Sequence, residues 1–110
     1  MVFAHIPLQV LYKEWGWGTE DGTQALALLK RFGSVTILNG HIHQLAQRVE
    51  GNMTFHTARS TSYPQPIAGE GPGPGPLKVA ADQLPKMLGI TSVAEVKHPR
   101  SLALSDTALA

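Results

Sequence analysis

Five histidines, at positions 5, 41, 43, 56 and 98, are the residues of this 110-residue chain best suited to chemistry. Two of them stand two apart in "LNGHIHQ", directly behind a glycine. In an extended segment residues i and i+2 point to the same face, so His41 and His43 can project together. Neutral imidazoles so placed can share one metal ion, or each hold one ion of a close pair. Gly40 before them permits a backbone approach that a β-carbon would hinder. His5 lies near the end of another apolar run, two residues before Pro7. If the two runs are parallel strands, their C-terminal ends share one edge of the sheet and the three imidazoles converge. The spacing alone is met equally by surface or hydrogen-bonded core histidines. His56, inside a strand pattern, and His98, before Pro99, read as structural or solvated.

Composition narrows the other options. The chain is 43% hydrophobic and 15% charged, which suits a globular domain. Nine basic and eight acidic residues leave a formal charge of +1, so no footprint for nucleic acid or an anionic membrane is expected. Without cysteine there is no disulfide, thiolate metal site or cysteine nucleophile. No apolar run approaches the ~20 residues that span a bilayer, and "MVFAHIPLQV" lacks the features of a signal peptide. The expected compartment is therefore cytoplasmic.

The elements that must position the histidines can be read from pattern. "VFAHIPL" is expected to be a buried strand closed by Pro7. The loop "YKEWGWGTEDG" follows, and Asp21 with Gln24 marks a helix start. "TQALALLKRF" carries Ala25, Leu26, Leu29 and Phe32 on one apolar face, with Gly33 as its stop. "SVTILNG" is a second strand, which gives a strand–helix–strand unit. "QLAQRV" and "MTFHTA" flank "EGN" as a hairpin. Residues 60–76 are rich in proline and glycine and hold no regular element. "AADQLPKMLGI" is expected to be a short helix interrupted at Pro85, and "SLALSDTALA" a final strand. The whole reads as a single α/β domain, 1–110.

A jelly-roll metal site also uses His-x-His, but with glycine six residues earlier and glutamate four or five later. Here position 35 is valine and the next glutamate is Glu50, so that pattern fails.

"VFAHIP", then a helix, then "LNGHIH" resembles the C-terminal half of calcineurin-like metallophosphoesterases, whose pattern is VVxxHxP followed by G-H-x-H. "ARSTSYPQP", the Gly/Pro stretch and "SLALSDTAL" extend the resemblance to bacterial phosphoesterases of this kind. The resemblance implies a partial αββα sandwich, with a mixed sheet and flanking helices. It also implies phosphate mono- or diester hydrolysis at two divalent ions such as Mn, Fe or Zn. His5 and His41 would bind one ion and His43 the other, while Trp15 and Trp17 would either line the substrate mouth or pack in the loop. The family's first half supplies Asp-x-His, Gly-Asp and Gly-Asn-His motifs, and none stands in this chain; "GNM" at 51–53 is the only Gly-Asn. Two dications on three neutral imidazoles would lack the anionic bridge that offsets their repulsion. At most one ion on His5, His41 and His43 is therefore expected, with little or no activity alone. The partners expected are a phosphate ester if the site is completed, and a missing N-terminal half or a second copy. The alternative is a non-catalytic, truncated remnant that self-associates.

Overall fold

The computed structural model describes every residue except His98 and Pro99, and the expectation for His98 lies outside the described residues. β-Branched residues dominate the segment that becomes β2 (Val35–Asn39), one of the two inner strands of a four-stranded mixed sheet. The sheet order is β1 (Val2–Phe3), β2, β4 (Met53–Thr57), β3 (Ala46–Glu50). β1 and β4 both run parallel to β2, and β3 runs antiparallel to β4 as the expected hairpin. Its turn uses Gly51 at φ 57°, a conformation that a β-carbon disfavours.

Alternation along β2 and β4 builds the core. Val35, Ile37, Met53 and Phe55 share one face and are buried, with Val2, Leu8, Leu26 and Leu29 packed against them. Leu26 and Leu29 come from α1 (Gly22–Leu29), which crosses from β1 to β2. Asp21 occupies its N-cap without a side-chain cap bond, and the helix ends before Phe32, which stays exposed instead of completing the apolar face. Gly22 is buried, and glycine is needed there because a β-carbon would run into the Leu8 carbonyl.

The first strand differs from expectation. It covers two residues and does not run on to Pro7, and Phe3 is 71% exposed, because β1 is an edge strand and the chain leaves the sheet at buried Pro7. Backbone pairing with the β2 segment nevertheless reaches His5, through Ala4 N–H to the Leu38 carbonyl (3.1 Å) and Gly40 N–H to the His5 carbonyl (3.0 Å).

After the 60–76 segment, a one-turn helix α2 (Leu84–Met87) carries Pro85 in its first turn, where the missing N–H costs nothing. Pro85 thus starts this helix and does not interrupt a longer one. β5 (Gly89–Lys97) and β6 (Arg100–Ala108) form a two-stranded antiparallel sheet. His56 joins this hairpin to the other face of the main sheet. Its ring lies 3.0 Å from Asp106 of β6 and 3.1 Å from Gln47 of β3, and it is 3% exposed. The structural role expected for His56 is the one seen. The chain is therefore mixed α/β, with a mixed sheet and few helices. No helix among the described residues is long and apolar enough to cross a membrane.

Candidate metal centre

Parallel pairing of β1, β2 and β4 brings three strand ends to one edge, so the chain after Phe3, Asn39 and Thr57 emerges side by side. His5, Asn39, Gly40 and Ala58 line a shallow groove there, of about 290 Å³. Asn39 ties the edge together by donating to the Ala4 carbonyl at 2.8 Å. Its own side-chain oxygen is buried with no hydrogen-bond partner among the described residues. A buried acceptor of this kind is suited to a water or a cation.

β2 ends at Asn39, so His41 and His43 stand in a turn and not in an extended segment. Both adopt left-handed backbone conformations, at φ 71° and 56°. The special geometry thus falls on the histidines themselves and not on Gly40, where a β-carbon would meet His5 Nδ1 at an ordinary 3.5 Å. Left-handed non-glycine residues persist where neighbours over-determine them, and such strain collects at functional sites. Here Ile42 N–H bonds the Gly40 carbonyl at 2.8 Å. The Gln44 carboxamide reaches the Ile42 and Pro66 carbonyls at 3.3 and 2.9 Å. With its carboxamide nitrogen turned toward them, Gln65 donates to the carbonyls of His41 and Ile42 at 3.2 Å each.

The rings of His5 and His41 meet edge-on, with centroids 5.4 Å apart. Two imidazoles on one tetrahedral ion, each with a nitrogen about 2 Å from it, would have centroids about 5 Å apart. The observed pair fits that separation. His43 turns elsewhere, its Nδ1 2.8 Å from the Tyr63 carbonyl and its ring 4.5 Å from the Tyr63 ring. His41 Nε2 lies 3.3 Å from the Gly16 carbonyl. A carbonyl can only accept, so each contacting nitrogen carries a proton; in a neutral imidazole the other nitrogen then has a lone pair to offer. Metal-binding histidines are oriented in this way. The structure brings His5 and His41 together and holds His43 on Tyr63. Among the described residues, no three His, Asp or Glu side chains gather closely enough to hold an ion. His5 and His41 are thus a pair of imidazoles at the strand ends, without a third close His, Asp or Glu side chain among the described residues.

Trp17 is 3% exposed and belongs to the packing of its loop, which removes it from any substrate mouth. Trp15 sits edge-on between Tyr12 and Trp17, with centroids 5.1 Å from each. What the loop gives the site is the Gly16 carbonyl. Sequence reasoning missed Asn39, which stands at the end of a parallel strand, the signal by which it could have been found.

Compared with known proteins, the chain matches no family model and no curated sequence.

Proposed function

We propose that this chain is the C-terminal, metal-binding part of a phosphate-ester hydrolase and that alone it is inactive or nearly so. The supporting observation is the pairing of His5 with His41 beside a turn whose two histidines each give one ring N–H to a carbonyl. That pattern leaves lone pairs for a Mn, Fe or Zn ion on His5 and His41, and for a second ion on His43 if other residues complete its shell. An ion held there would polarise a phosphoryl oxygen of a mono- or diester. The chain's own contribution is to fix the imidazole orientations through Gly16, Tyr63, Gln44 and Gln65. The order of α1, mixed sheet and β5–β6 hairpin suits one side of an αββα sandwich, and the remaining ligands would come from a second polypeptide or a longer product. Turnover of a chromogenic phosphodiester in Mn or Zn tests the claim for the isolated chain, with trace activity or none expected. Robust metal-dependent turnover, lost on His43→Ala, would overturn it.

A second reading is a non-catalytic module that self-associates and keeps at most one ion. The hairpin favours it, since Ile90, Val93, Val96 and Leu102 are all more than a third exposed. Such apolar surface suits a symmetric dimer. Sedimentation across a range of concentrations distinguishes a self-associating chain from a monomer.

A further inference from the structure

A cleft of about 990 Å³ lies beyond His43, bounded by the 43–45 segment, the 64–78 segment and the end of α2. Its size matches the upper end of small-molecule sites, which run about 300–1,000 Å³. Five of the chain's eight prolines line it, each with a fixed φ and no N–H donor, interleaved with Gly71, Gly73 and Gly75. Leu45, Ile67, Leu77 and Met87 add apolar surface. The wall is fastened to the histidine turn by Gln44 on the Pro66 carbonyl and His43 on the Tyr63 carbonyl. It is closed on itself by Leu77 N–H on the Pro64 carbonyl at 2.9 Å. A site fastened in this way loses little freedom when a ligand enters.

The charges around the cleft are one-sided. Arg59, Lys78 and Lys86 line it against a single carboxylate, Glu70. In a chain whose formal charge is only +1, that is a local concentration of cations. Among the described residues no carboxylate stands within ion-pair distance of Arg59, Lys78 or Lys86, and Asp106 adds a longer-range negative charge to Arg59 alone. Lys86 donates to the Gln83 carboxamide oxygen at 3.4 Å.

We propose that this cleft binds an amphipathic anion, an apolar aromatic or acyl body carrying one phosphate-type head. The prolines and aliphatic residues take the body, and Arg59, Lys78 and Lys86 take the head. The inference does not depend on a metal at His5 and His41, because the cations and not the histidines carry the charge recognition.

The experiment is calorimetric titration of the full chain in EDTA with 1-naphthyl phosphate, 1-naphthol and inorganic phosphate. The phosphate ester is expected to bind at least about tenfold more tightly than either fragment. Lys78→Gln with Lys86→Gln, two exposed positions, is expected to weaken it about tenfold at an unchanged melting temperature. Equal binding of 1-naphthol, equal binding of inorganic phosphate, no binding at all, or an unaffected double variant would each overturn the proposal. Because metal is withheld throughout, failure here leaves the histidine site to be judged separately.

Discussion

β2 and β4 pair over five residues and β5 and β6 over nine, yet the shorter pairing makes the core. Along β2 every second residue is buried, and Ile37 and Phe55 are at most 1% exposed. Along β5 only Gly89 is buried. Backbone pairing sets register in both regions, but apolar burial supplies most of the stabilisation. A two-stranded hairpin is marginal by itself. This one is fastened at its base, through Gly89 N–H to the Ser60 carbonyl (3.1 Å) and through Asp106, which accepts from Thr91 (2.6 Å) and contacts His56.

The contrast is broken most easily in the sheet. Phe55→Ala should cost about 3–5 kcal/mol in urea unfolding, whereas Val96→Ala in the exposed hairpin should cost no more than about 0.5 kcal/mol. Equal losses would mean that the hairpin packs as the sheet does. Gly22→Ala comes next, at about 1–3 kcal/mol by the same assay, because the new methyl must displace the Leu8 backbone that packs on the core.

Asp106→Asn sharpens the comparison at the joint. A loss of about 1–2 kcal/mol is expected, with faster amide exchange confined to β5 and β6. Partial burial raises the Asp106 pKa, but the Thr91 and His56 hydrogen bonds and the charges of His56 and Arg59 outweigh it, so the carboxyl lies below its ordinary value. Its contribution is therefore complete above the ordinary carboxylate range and is lost as pH falls through the folded-state value. Acid unfolding of Asp106→Asn should lack that component.

A small effect is expected in the turn. His41→Gly relieves a left-handed backbone while adding freedom to the unfolded chain, so metal-free stability should stay within about 1 kcal/mol of the parent. A large loss in thermal unfolding would show the ring to be a structural support.

Much of the sheet was legible because its signals are local. The β-branched run at 35–39 and the Glu50-Gly51-Asn52 turn announce β2, β3 and β4, and the apolar spacing of Leu26 and Leu29 announces α1. β5 went unread, although Ile90, Thr91, Val93 and Val96 form a β-prone run, because the helix pattern before it was carried through Ile90. The approach of His5 to His41 followed from parallel strands. The separate holding of His43 did not, since it depends on a left-handed turn and on Tyr63 twenty residues away, neither of which has a local pattern.

The central claim is that His5 and His41 form half of a metal shell, and metal content per chain tests it most directly. Tag-free protein dialysed against Mn and Zn should retain about one ion per chain, and the His5→Ala, His41→Ala double variant should retain none. A parent chain without metal, or an ion that survives the double substitution, would contradict the account.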